Sequence, residues 1–187
     1  MTSDDETTGR VIAIGGPIAA GKSTLAHAVV VALGELGLTA AAVELDLVYE
    51  RLDLTGGPKN DPEAWSRTRW AAGAFANALL DTGTDVVVVE GDLLRESERA
   101  ELGSALGSVP VLHVTLTVPL AVAAERTADD PQRGLSRHPE FLARDFAGLE
   151  EALATRPPGE LVIDTAQVSV DNAVRAVIAA LEGQSAG

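Results

Sequence analysis

The chain has 187 residues, 46% hydrophobic and 22% charged, an ordinary globular balance that suits one domain better than two. Its 28 acids against 14 bases leave a formal net charge of −14, which argues against a polynucleotide as the main partner. No cysteine is present, which excludes disulfides, thiolate catalysis and cysteine-ligated metals.

The opening residues 1–9 are acidic and polar with no apolar stretch, so they read as a tail rather than a secretory signal. Val11 to Ile14 then reads as a buried strand. Leu25, Val29, Ala32, Leu33 and Leu36 fall on one helical face, and Gly37 suits the helix stop. The most apolar long window, 26–45, is interrupted by His27, Glu35 and two glycines, too broken for a membrane-spanning helix. A cytoplasmic location and no membrane partner are therefore expected.

Between that strand and helix lies "GPIAAGKS", Gly16 to Ser23, a complete G-x-x-x-x-G-K-[ST]. Its glycines let successive backbone N–H groups turn inward into an anion nest, and the helix beginning near Lys22 aims its positive end at the same spot. The chain has two lysines, and one of them stands here. Gly16, Ala19, Ala20, Gly21, Lys22, Ser23 and Thr24 are the expected contacts of a nucleotide phosphate chain. Lys22 neutralises the outer phosphates, Ser23 Oγ is placed to ligate Mg²⁺, and Thr24 meets the inner phosphate. The cofactors expected are ATP and Mg²⁺.

Downstream, "TAAAVEL" (39–45) fits a second strand, followed by a Gly/Pro/Asn-rich loop. Asp61 caps a helix with Pro62 in its first turn, carrying Trp65, Ala72, Phe75 or Ala76, and Leu79 inward. "DVVVVE" (85–90) is a strand buried on both faces, and Ser97 is placed to cap a helix to about Leu106. "VLHVTLTV" is a fourth strand, after which Pro119 opens a helix to about Thr127. An Arg-rich loop leads to a helix from Pro139 to Ala154, "ELVID" is a fifth strand, and Ser169 caps a last helix to about Leu181. Residues 183–187 read as a second tail.

Five β-α repeats with one core predict an α/β fold, a parallel sheet with helices on both faces, over residues 10–182. Ligands then belong at the carboxyl ends of the strands, near Gly15, Asp46, Glu90 with Asp92, and Thr117. The three histidines have no ligand spacing, so a zinc site is not expected, and the absence of N-K-x-D argues against a GTPase.

Together with the phosphate loop, "VELDLVYERL", "VVVVEGDLL" and "ERTADDPQRGLSRHPEFLARDF" make the chain resemble a small P-loop kinase of the nucleoside-kinase-like group. That group includes shikimate, gluconate and uridine kinases and chloramphenicol phosphotransferases. The resemblance implies a three-layer P-loop NTPase fold, a five-stranded sheet in the order 2-3-1-4-5, and a mobile lid here at about 126–139.

By the same resemblance Asp46 binds or deprotonates the acceptor hydroxyl, and a hydroxyl attacking a γ-phosphoryl must shed its proton. The bland alternative is an acid at a helix start. Arg51 holds an anionic substrate group or is a surface residue. Glu90 and Asp92 compete for the Walker B role on the metal. Arg126, Arg133 and Arg137 meet ATP phosphates as the lid closes, since a guanidinium stays charged and pairs two oxygens at once; the alternative is ion pairing with Asp129, Asp130 and Asp145. "ELD" and "EGD" depart from the shikimate-kinase pattern, so shikimate is not the expected acceptor. Near the last strand, "IDTAQVS" is where the adenine pocket lies, without a decisive base-reading residue. One of Trp65 and Trp70 flanks the acceptor, or both are core or pocket wall.

The expected function is transfer of the ATP γ-phosphoryl group to a hydroxyl of a small molecule, with Lys22, Asp46 and Arg133 carrying the chemistry. The alternatives are a P-loop regulator or slow ATPase without an acceptor and, disfavoured by the charge, a polynucleotide 5′-hydroxyl kinase.

Overall fold

The computed structural model describes residues 9–52, 61–128, 137–156 and 160–184. Five parallel strands form one sheet: β1 (Arg10–Gly15), β2 (Ala40–Glu44), β3 (Val86–Glu90), β4 (Val111–Thr117) and β5 (Leu161–Asp164), in the spatial order β2-β3-β1-β4-β5. This is the expected α/β architecture and the 2-3-1-4-5 order. The helices are α1 (Lys22–Glu35), α2 (Leu45–Leu52), α3 (Pro62–Asp81), α4 (Glu96–Leu106), α5 (Leu120–Ala128), α6 (Pro139–Phe146), α7 (Leu149–Ala154) and α8 (Val170–Gly183).

The central strands are apolar without alternation because both faces are covered. All five residues of β3 are buried, and along β1 consecutive residues serve opposite cores. Ile12 and Ile14 pack with Leu25, Val29 and Leu33 of α1 and Val177 and Leu181 of α8. Val11 and Ala13 pack with Ala72 and Ala76 of α3 and Leu102 and Leu106 of α4. Ala72, Gly73 and Ala76 keep α3 close to α4: a Cβ on Gly73 would lie 2.5 Å from Leu102 O.

Several local expectations are corrected. Leu36 does not belong to the buried stripe of α1; it is the C-cap and 59% exposed, while Leu38 N and Gly37 N donate back to Leu33 O and Gly34 O to close the helix end. On α3, Asp61 caps as expected by accepting from Glu63 N at 3.2 Å, and Ala76 rather than Phe75 turns inward. Trp65 is half-buried and Trp70 is exposed, so Trp70 is neither core nor wall. α4 starts at Glu96 with Arg95 as its N-cap, not Ser97, because the Glu98 carboxylate accepts from Arg95 N at 2.7 Å. The expected helix 139–154 is two helices, turning at Ala147–Gly148, so that Leu142 of α6 and Ala152 of α7 are each buried. Ser169 caps α8 by accepting from Asn172 N, and α8 continues to Gly183. The expected tail at 1–8 and lid residues 129–136, Arg133 included, lie outside the described residues.

Parallel strands direct their carboxyl ends to one edge of the sheet. Register pairs Ile14 and Glu44 each with Glu90, which brings the ends of β1, β2 and β3 level. The candidate site is built on that edge.

Candidate active site

The loop from Gly16 to Gly21 joins β1 to α1 and closes around its own backbone. Ala20 N donates to Pro17 O at 3.2 Å, and Lys22 Nζ donates to Gly16 O and Pro17 O at 2.9 and 3.0 Å. Gly16 is needed at a close approach, since a Cβ there would lie 2.7 Å from Leu116 O. Gly21 is needed for its backbone: it is the N-cap of α1 at φ 89°, a region L side chains avoid. No side chain caps α1 and its first turn contains no acid, so the donors of that turn and the positive end of the helix face the loop. A Cβ on Gly21 would meet nothing within 4 Å, so the glycine is needed for its backbone angle and not for space. These features fit a nucleotide phosphate.

Ser23 follows in the first turn of α1 and donates from Oγ to Glu90 Oε1 at 2.9 Å. Glu90 is buried at the end of β3. Burial pushes its carboxyl above the usual range, Glu44 and Asp46 add to that push, and the Ser23 bond and Lys22 oppose it. One hydroxyl and one carboxylate fit Mg²⁺, which takes few protein ligands and completes its shell with phosphate and water. Among the described residues no three His, Cys, Asp or Glu side chains converge on a metal position by themselves.

The turn after β3 is braced from two sides. Arg69, buried on α3, donates from Nε to Asp92 O at 2.9 Å and pairs through Nη2 with the Asp92 carboxylate at 3.0 Å. It also pairs with Glu101 at 2.8 Å and lies 3.7 Å from Glu98. Arg99 donates to Leu93 O at 3.0 Å and Leu94 O at 3.1 Å, and reaches across to Thr115 Oγ1. Asp92 is thus engaged by an arginine while Glu90 faces the α1 hydroxyl.

In front of this edge lies a cavity of about 730 Å³. Lys22, Asp46, Asp92, Arg95, Arg144 and Asp145 all contribute to its wall, with Trp65 and Phe141 as its aromatic part. Asp46 sits in the first turn of α2, which Tyr49 ties to α3 by stacking on Trp65 at 4.3 Å between centroids. Arg69 lies 5.9 Å from the Trp65 ring, so Trp65 is engaged by both Tyr49 and Arg69 and supports the wall.

Arg126, on α5, donates to Ala19 O at 3.0 Å and to Thr165 Oγ1 and O at 3.0 and 2.9 Å, joining the phosphate loop to the turn after β5. Arg137 is exposed and donates to Ala128 O. The structure therefore groups Lys22, Ser23, Glu90, Asp46 and Asp92 at one edge, sets Arg126 on the loop, and leaves Arg137 exposed beside Ala128. Thr24 is exposed in the first turn of α1, and Arg51 is likewise exposed, near the end of α2.

Sequence reading did not single out Arg69, Arg95 or Arg144, and it placed Asp145 only as an ion-pair partner of the lid. Asp145 accepts from Ile18 N at 2.7 Å, 127 residues away. No local pattern announces such a contact.

A family model described as "AAA domain" (AAA_33) matches residues 11–145, from the first strand to that aspartate. The chain belongs to the AAA_33 family. No match is found among curated proteins. The fold of this AAA_33 chain is similar to that of the Mycobacterium tuberculosis APS kinase solved with AMPPNP and APS, at 21% identity and TM-score 0.70, covering 94% of this chain and 98% of that one. It is similar to a sugar kinase from Janibacter sp., at 22% identity and TM-score 0.64, over 93% of this chain and 95% of the other. It is also similar to a gluconokinase from Sinorhizobium meliloti, at 24% identity and TM-score 0.62, over 95% and 94%. The resemblance to small P-loop kinases thus holds for the fold. Among the described residues no helix is long and apolar enough to cross a membrane.

Proposed function

We propose that this AAA_33 protein is an ATP- and Mg²⁺-dependent phosphotransferase that moves the γ-phosphoryl group to a hydroxyl of a small molecule. One observation carries the reading: Lys22 of the phosphate loop and Asp46 of α2 line one cavity of about 730 Å³. The cavity wall mixes acids with bases (Asp46, Asp92 and Asp145 beside Arg95 and Arg144), which suits a polar acceptor next to the loop.

The residues take separate parts. The loop backbone and Lys22 bind the phosphate chain, and Lys22 leaves Gly16 O and Pro17 O to do so. Ser23 and Glu90 hold Mg²⁺, which when bound neutralises charge on the phosphate oxygens. Asp46 accepts the acceptor's hydroxyl proton at its carboxylate and orients the oxygen. Asp92, fixed by Arg69, shapes the floor of the acceptor chamber. Arg126 holds the loop against the turn after β5, and Arg133 and Arg137 meet the phosphates from the lid. Positioning supplies most of the rate, because the transferring group needs little covalent help.

The test is ADP release from Mg·ATP across a panel of hydroxyl compounds (sugars, nucleosides, polyols and hydroxylated antibiotics), with Lys22→Ala as the blank. At least one compound should raise ADP release above the blank with a matching phosphorylated product. ADP release that no compound stimulates, with normal nucleotide binding, would make the protein a slow ATPase or regulator instead.

A further inference from the structure

Asp145 lines the cavity and is also hydrogen-bonded to the phosphate loop. Its helix, α6, supplies Phe141, Arg144 and Asp145 to the acceptor wall. The same helix is docked on the phosphate loop: Leu142 is buried in the core cluster that holds Ala19 and Ala20, with Ile18 and Phe146 packed against it. The polar element of this docking is the 2.7 Å bond from Ile18 N to Asp145 Oδ2. A backbone N–H of the loop is thereby committed to a side chain from the far end of the family-matched region rather than to the loop itself.

We propose that Asp145 is a positioning residue that couples the acceptor wall to the phosphate loop. Its consequence for turnover rests on the phosphotransferase reading above. Fixing the Ile18 N–H fixes the direction of the Pro17–Ile18 peptide inside the loop, and the carboxylate can do so only when α6 is seated. Order in the loop and order in α6 therefore rise and fall together.

The surroundings suit a carboxylate that stays in place. Lys22 and Arg95 favour its charge and Asp92 opposes it, while Arg144 of the same helix and Asp46, Glu98, Glu101 and Arg69 share the chamber. Burial outweighs the favourable neighbours and raises its proton affinity. The hydrogen bond to Ile18 needs only an acceptor oxygen, not a charge, and that separates the conservative variant from the truncation.

The experiment is amide hydrogen exchange on the full chain, free and with Mg²⁺ plus a fluorescent ATP analogue, for the wild type, Asp145→Asn, Asp145→Ala and Leu142→Ala. In the free protein the Ile18 amide should exchange about tenfold faster in Asp145→Ala and within about twofold of wild type in Asp145→Asn, whose amide oxygen can accept. The analogue should protect the α6 amides in the wild type and Asp145→Asn but not in Asp145→Ala, and Leu142→Ala should speed Ile18 exchange by unseating α6. Unchanged Ile18 exchange in Asp145→Ala, or failure of Asn to restore it, would overturn the role. A wild type that binds the analogue without protecting α6 would overturn the coupling. A wild type that does not bind the analogue would sink the nucleotide reading, while the free-protein Ile18 result would still decide whether Asp145 sets the loop.

Discussion

Ser23 Oγ and Glu90 Oε1 lie 2.9 Å apart, so the first turn of the helix after the phosphate loop is tied directly to the end of β3. The hydroxyl and the carboxylate that would share a metal are already in contact through a proton. On the proposed reading, a Mg²⁺ ion held by both groups would displace that hydrogen bond rather than bring two distant groups together.

That relationship gives a pH dependence. Burial raises the folded-state pKa of Glu90 above its unfolded value, so the folded state binds its proton more tightly. Stability from this group is fully present below the ordinary carboxylate pKa and is lost as pH rises through the raised value. Glu90→Gln removes the titration. The difference in Tm between Glu90→Gln and wild type, without metal, should grow in favour of the variant from pH 4 to pH 8, at about 2–4 °C per kcal/mol for a chain of this size. Thermal scans across that range check it. Mg²⁺ should stabilise the wild type in the presence of ATP less as pH falls through the same window, because a proton competes for the carboxylate.

Arg69 should matter for stability more than any cation on the loop. Its removal leaves Asp92, Glu98 and Glu101 clustered without the guanidinium between them. Arg69→Met is expected to cost about 2–4 kcal/mol, below a fully enclosed pair because Asp92 and Glu101 are partly solvated. Urea denaturation measures this. Arg69→Lys should recover only part, since an ammonium cannot reproduce the separate bonds to Asp92 O and to two carboxylates.

Arg126 tests whether the loop needs its outer brace. Arg126→Met breaks the bonds to Ala19 O and Thr165, with a predicted loss of about tenfold in nucleotide affinity, or about 1.4 kcal/mol. Titration with a fluorescent ATP analogue is the measurement. Arg126→Lys should behave much like Met, because a single ammonium does not span both partners.

The fold and the place of the phosphate-loop motif between β1 and α1 were legible in the sequence because their signals are local. Four consecutive valines need two covered faces, and the glycines of "GPIAAGKS" mark a turn between a strand and a helix. What escaped was set by tertiary contact. Ser97 has a better capping side chain than Arg95, but the reach of Glu98 to Arg95 N decided the boundary of α4. The stripe over 139–154 reads as one helix, yet Leu142 and Ala152 are buried on either side of a turn at Gly148. Arg69 and Asp145 act on partners 23 and 127 residues away, where no spacing rule reaches. Glu90 and Asp92 were indistinguishable by position, and it is Ser23 on one and Arg69 on the other that give them different proposed parts.

The most direct measurement of the central claim compares wild type with Asp46→Asn for two quantities: acceptor-stimulated ADP release and affinity for Mg²⁺ with an ATP analogue. Acceptor-dependent kcat should fall at least about a hundredfold, as for loss of a general base, while analogue affinity stays within about threefold. Full transferase activity in Asp46→Asn, with normal nucleotide binding, would contradict it.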